Sequence, residues 1–314
     1  MLLDLSEKEY FSRFTQAPHF FVSRGFLNTV VTKTEEIKYL VHEKSPYRIG
    51  LVLGVDNHSL TSPFSAPFGG FHYAHNKLYS TDIDTFIQDL QLYMLKHNYN
   101  SFSLTLPPAP HEQSNDIKVL NSLLRHGAEL APPGLHCFVD LREFQGVFQY
   151  GTSRAHSRQG EREGVVIYAC TTLEEKEQSF SIIAQNRKAH GYPLYMNFDE
   201  VLEIEKHCMV DWWIVQHPLR GAIGAAIIYR ISETIAYLTF WGDINEGRAV
   251  KAMDVLSLKL LQYYKEQGVI FFDMGIATED GVPNPGLLRF KETHEAKVVP
   301  RYSLVWQQSH FKEL

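Results

Sequence analysis

Phe271–Lys291 reads FFDMGIATEDGVPNPGLLRFK, and three kinds of local structure follow one another in it. The run that enters it, Gly268–Met274 (GVIFFDM), is apolar and β-rich, the composition of a strand buried on both faces. Gly275–Pro285 carries Gly, Pro and acidic residues and reads as a loop. It is longer than the ~2–6 residues of a minimal connection, so it is expected to line something. Gly286–Lys291 (GLLRFK) opens a short helix, Leu287–Thr293. Leu287 and Lys291 stand four apart and share a face of it. A strand, Lys297–Trp306, closes the chain.

Upstream of this stretch Ala249–Gln267 has strong helical periodicity, and Val210–Gln216, Gly221–Ile231 and Glu233–Trp241 are successive β-rich runs, the pattern of an antiparallel meander. Thr172–His190 is a long helix that begins at Thr172 with Glu174 and Glu175 in its first turn and ends at Gly191 and Pro193. Gly164–Cys170 is a strand. The first half follows the same order more crudely. Strands are predicted at Arg48–Val55, Ser101–Leu106 and Leu135–Leu141. Helices are predicted at Thr81–His97, with Ile83, Phe86, Ile87, Leu90 and Met94 inward, and at Ser114–His126, with Ile117, Leu120 and Leu124 inward. The fold class is α+β, with two similar halves and mixed, largely antiparallel sheets. The expected domains are 1–147 and 148–314, with the boundary near Arg142–Thr152 and the site in a cleft between the halves.

The 314 residues suit two domains, and 44% hydrophobic with 21% charged residues is an ordinary globular balance. A net charge of −6 argues against general DNA binding. No apolar run approaches the ~20 residues of a membrane span. The start, MLLDLSEKEYFSRF, lacks the basic and apolar regions of a signal peptide. Cys137, Cys170 and Cys208 are odd in number and far apart, which fits a reducing cytoplasm better than a disulfide framework. The 15 histidines form no HExxH or HxH motif, and His72/His75 is the only close pair, so no metal is expected.

Asp273, Gly275, Gly286, Leu287, Phe290 and Lys291 form the pattern Asp-x-Gly, loop, Gly-Leu-x-x-Phe-Lys. This resembles the closing motif of the Fem family of peptidoglycan-bridge enzymes, which are built from two fused acetyltransferase-like (GNAT) halves. Tyr150–Val165 (YGTSRAHSRQGEREGV) resembles that family's Arg-rich helix before a Gly-Val strand. Gln185–Gly191 (QNRKAHG) resembles a helix end of the family, and Pro67–Gly70 an early Pro/Gly segment. The chain departs from the better-known members in having no long coiled-coil arm. Its loop after Gly191, YPLYMNF, lacks a basic residue for a substrate phosphate, and Asp243–Gly247 (DINEG) lacks the Gln/Arg-x-x-Gly-x-Gly/Ala pattern of acetyl-CoA binders. The resemblance extends equally to the wider group of double-GNAT acyltransferases.

It implies an acyl- or aminoacyl-transferase that moves an acyl group to an amine of a cell-envelope or sugar-nucleotide intermediate, with acyl-CoA or aminoacyl-tRNA as donor. Two alternatives stand beside it: an acyl-CoA-dependent N-acyltransferase on a small metabolite, and a non-catalytic double-GNAT module that binds a ligand or partner. Such a transfer needs a polarised carbonyl, an amine that loses a proton and an anchor for an anionic donor. The first is usually met by backbone N–H groups where central strands splay, here Thr239–Gly242. Trp241, Gly242, Gly247 and Arg248 are the expected donor contacts, at the N-terminus of the following helix, although Gly247 also reads as a plain turn residue. Lys291 is the candidate for stabilising an oxyanion or donor phosphate and is expected to serve activity and not folding. Asp273 would orient the amine or cap a local turn. Arg154 and Arg158, on a stripe with Arg162, are candidates for phosphate contact or a solvated face. Arg187, Tyr192 and Asn284 complete the expected substrate contacts.

Overall fold

A computed structural model describes residues 1–43, 48–75 and 77–311. The fold is α+β, and the chain divides into two compact units, Met1–Gly134 with Pro300–Leu314, and Leu135–Val299.

In the first unit an eight-stranded sheet runs in the order Leu2–Asp4, Glu36–His42, Ile49–Asp56, Ser59–Ser62, Ser101–Thr105, Ser303–Gln307 and Glu129–Leu130, with Phe71–Tyr73 also pairing Ile49–Asp56. The helix Ser80–Lys96 buries Ile83, Phe86, Ile87, Leu90 and Met94, the stripe its periodicity predicts. In Asp116–Arg125 the inward face is Val119, Leu120 and Leu123, while Ile117 and Leu124 are exposed.

In the second unit a seven-stranded sheet runs Lys297–Arg301, Gly134–Asp140, Phe271–Ile276, Ile235–Asp243, Gly221–Arg230, Met209–His217, Val166–Ala169. The pairings are antiparallel along the meander, and Ile235–Asp243 runs parallel to Phe271–Ile276. The helix Leu173–His190 starts in a reciprocal cap between Thr172 and Glu175 and stops at Gly191, whose φ of 70° lies in the left-handed region.

Two boundaries differ from the sequence expectation. Gly134–Asp140, read as part of the first half, pairs with Phe271–Ile276 of the second unit's sheet, so the units part at Gly134/Leu135 and not near 147. The closing strand is two strands: Lys297–Arg301 belongs to the second sheet, whereas Ser303–Gln307 lies between Ser101–Thr105 and Glu129–Leu130 in the first. Trp306, fully buried in the first core with its indole N–H donating to the His126 carbonyl at 3.1 Å, explains why the tail belongs there.

Candidate active site

Phe271–Lys291 folds into one device of strand, loop and short helix. Pairing of Phe271–Ile276 with Gly134–Asp140 slips between Asp273 and Gly275, leaving Met274 as a bulge. Asp273 is fully buried: one carboxylate oxygen accepts the Gly275 N–H at 2.7 Å, and the other lies 2.8 Å from His136 Nε2. Gly275 has φ of 71°, which glycine adopts without strain. The Gly275 and Ile276 carbonyls accept bonds from Lys291 Nζ at 3.1 and 2.8 Å. Lys291 reaches them from the helix Pro285–Thr293, whose first turn is held by Asn284 Oδ1 accepting the Leu287 N–H at 3.0 Å. Lys291 is 2% exposed, and burial pulls its ammonium down to about 8. The expectation that this lysine has no part in folding is therefore replaced: it joins a helix to a strand end.

Beside this device the sheet opens. Ile235–Asp243 pairs with Phe271–Ile276 through Ile235, Ala236 and Tyr237 and then continues without it. Against its other neighbour the register slips, with Ile227 opposite Phe240 and Ile228 opposite Leu238, so Thr239 is the extra residue of a bulge. A cavity of about 810 Å³ occupies the opening, walled by Leu238, Thr239 and Trp241 on one strand, Met274 to Ala277 on the other, and Leu287, Phe290 and Lys291 on the short helix. Every residue of its wall lies in the second unit, so the cavity is not a cleft between the halves.

A second cavity of about 470 Å³ shares Asp243, Arg248, Met253, Gly286 and Phe290 with the first. It lies at the N-terminus of the helix Ala252–Glu266 and is lined by Arg248, Lys251 and Arg289 with Thr152 and Ser153. Lys251 has φ of 60° at the N-cap, unusual for a residue with a Cβ. Its floor carries Asp254, with one carboxylate oxygen 3.3 Å from His156 Nδ1 and 3.2 Å from His294 Nε2. Arg248 is steadied by Asp243 at 3.6 Å and by His190 Nε2 at 2.6 Å. Burial pushes the Asp243 carboxyl up, and Arg248 works against that.

No family model and no curated protein matches the sequence. Solved structures do match the fold. FemX superposes with a TM-score of 0.67 at 8% identity, covering 98% of this chain and 97% of that one. The C-terminal domain of a putative lysylphosphatidylglycerol synthetase from Agrobacterium fabrum gives 0.59 at 14% identity, covering 96% and 92%. A tandem GNAT protein from the clavulanic acid biosynthesis pathway gives 0.59 at 11% identity, covering 98% of each chain. The fold is a tandem GNAT fold. At these identities the likeness is one of fold alone.

The residues singled out in the sequence fall into four groups. Lys291, Trp241, Gly242, Arg248, Arg187, Tyr192 and Asn284 all line the larger cavity. Asp273 lies beneath it, with the geometry of a local cap and both oxygens engaged. Gly247 lines neither cavity: a Cβ there would lie 2.6 Å from the Ile223 carbonyl, so close packing requires this glycine. Arg154 and Arg158 are exposed on the helix Gly151–Arg162 and line neither cavity, because that helix turns Ser153, Ser157 and Gly160 inward. Lys251, Arg289, Asp254, His156 and His294 escaped the sequence reading, since they come from three separate helical segments with no shared motif. Asn186 and His190 carried a faint signal, being four apart at a helix end. Asn186 packs on Gly242, where a Cβ would meet it at 2.5 Å, and its amide donates to the Asp243 carbonyl at 2.7 Å.

Proposed function

We propose that this chain is an acyl- or aminoacyl-transferase whose reaction takes place in the larger cavity. The observation that carries the reading is the opened pair of strands, with the Thr239 bulge on one side, Lys291 at the other, and a cation-lined cavity continuous with it. An amine attacks the donor carbonyl, the carbonyl electron pair moves to oxygen, and collapse expels the leaving group, which takes up the proton the amine gives up. A bulged backbone and a buried ammonium suit the oxyanion of that step, because fixed donors in a dry site need no reorganisation. Two Lys291 protons are used on carbonyls, leaving a third for the reacting oxygen.

The donor's phosphate end would lie in the smaller cavity, where Arg248, Lys251, Arg289 and the end of a fifteen-residue helix converge. Both acyl-CoA and the 3′ end of an aminoacyl-tRNA present such phosphates. The acceptor would be an amine on an envelope or sugar-nucleotide intermediate, in keeping with the Fem-like closing motif; a small metabolite is the second reading. A binding module with a blocked donor groove is disfavoured by a cavity of about 810 Å³.

A thermal-shift screen with coenzyme A, acyl-CoAs and charged tRNA tests the donor site. At least one is expected to raise the melting temperature, and Arg248→Gln with Lys251→Gln is expected to abolish the shift without lowering the unliganded value. If none shifts the protein, or the double variant responds like wild type, the donor assignment is wrong.

A further inference from the structure

Arg187 has no place in the transfer step described above, yet it faces the same cavity. It stands in the last turn of Leu173–His190 and is partly buried. Its Nε is buried and finds no hydrogen-bond partner among the described residues. The ring centre of Tyr192 lies 6.0 Å from its guanidinium carbon, and Tyr195 and Tyr192 both favour its charge. A cation withdrawn from water without a counter-charge is costly, and burial here works against the charged form. Most buried polar atoms have a partner, so a guanidinium on a cavity wall with its Nε unpaired is short of counter-charge, which an anionic ligand in the cavity would supply.

Tyr192 supplies a second donor. Its hydroxyl accepts from Asn284 Nδ2 at 3.1 Å, so its own proton is free to point elsewhere. Arg187, Tyr192 and Asn284 belong to the larger cavity only and lie outside the part it shares with the smaller one. His190 stands between them and Arg248: its ring stacks on Tyr192 at 6.1 Å and its Nε2 lies 2.6 Å from an Arg248 nitrogen. The carboxylates on the wall do not meet this need: Asp243 faces Arg248 at 3.6 Å, and Glu279 is exposed. A planar fork beside one hydroxyl matches a carboxylate, a monoanion with two in-plane acceptors, while the donor phosphates have Arg248, Lys251 and Arg289.

We propose that Arg187, with Tyr192, anchors a carboxylate on the acceptor, so that the acceptor class is an amine that also carries a carboxylate, such as an amino acid or a peptide terminus. The word acceptor rests on the transferase reading; the anchor itself does not. Arg187 is a specificity-determining residue and touches no reacting atom.

Isothermal titration of the full chain with a panel of amino acids and dipeptides, each beside its C-terminal carboxamide, tests this without turnover. At least one carboxylate is expected to bind wild type about tenfold to a hundredfold more tightly than its amide, the range for a bond to a charged group. Arg187→Gln is expected to bring that ratio to about one, and Arg187→Lys to keep part of it, while coenzyme A affinity stays unchanged in both. Unchanged melting of Arg187→Gln confirms that the variant is folded. The inference is overturned if no carboxylate in the panel binds, if amides bind as well as acids, or if Arg187→Gln preserves the preference. Carboxylate capture by a protein that transfers nothing would count against the transferase reading and leave the anchor standing; transfer to an amide acceptor would do the reverse.

Discussion

At the scale of single residues Lys291 joins a helix to a strand end, and pH separates that role from the one proposed for it at the oxyanion. Its folded-state value of about 8 lies below the ordinary lysine value of 10.5 because it is buried. Between those values the unfolded chain binds the proton more tightly, so this group makes stability rise with pH from about 8 to 10.5, by roughly 3 kcal/mol at the limit. Lys291→Met removes the titrating group. The expected result is that urea-derived stability of wild type, relative to this variant, grows across that window; a constant difference would show that burial does not weaken the lysine's hold on its proton. If the ammonium serves the oxyanion, the transfer rate falls above about pH 8 in wild type. Asp273 was legible as a residue of interest because it ends an apolar strand. A local cap was one of the two readings it offered; the histidine brought from Gly134–Asp140 was not legible, since nothing in the sequence pairs the two residues.

At the scale of elements, the strands and helices with strong periodicity were readable. Thr172 and Gly191 mark both ends of their helix in composition alone. The misread elements were those whose identity depends on tertiary pairing. Nothing local divides Lys297–Trp306 into strands of two sheets, and nothing local separates Asn245–Ala249 from the helix Ala252–Glu266. Glycines behave similarly. Gly160 lets Gly151–Arg162 approach Ala252–Glu266, and a Cβ there would lie 2.5 Å from Val255 Cγ2 and 2.8 Å from the Val250 carbonyl. Gly160→Ala is expected to cost about 1–3 kcal/mol by overpacking, measured by urea denaturation; no loss would mean that the helices separate freely. Gly242→Ala would displace Asn186 and with it the bond to the Asp243 carbonyl. Donor affinity is expected to fall more than stability, and the reverse order would place Gly242 in the core and outside the site.

At the scale of the whole molecule, the two-unit plan was legible from the repeated order of elements, but the partition was not. The first unit needs Pro300–Leu314, whose strand lies inside its sheet and whose Trp306 is fully buried. A fragment of residues 1–147 is therefore expected to lack cooperative unfolding, and addition of a 300–314 peptide to restore it. A cooperative transition without the peptide would contradict the assignment. The cavity could not be foreseen in detail because its walls come from the bulged strand Ile235–Asp243, the strand Phe271–Ile276 and two helices distant in sequence. The closing motif and the run Thr239–Gly242 supplied wall residues in advance, but not the way the fold brings them together.

The central claim is acyl transfer in that cavity, and mass spectrometry of product formation tests it directly. Wild type is incubated with the donor that raises its melting temperature and with the amino-carboxylate panel, beside Lys291→Met. The account predicts an amide product carrying the donor's acyl group, formed about 10²–10³ times more slowly by the variant. An equal rate in the variant, or no acylated product from any donor and amine pair, would contradict it.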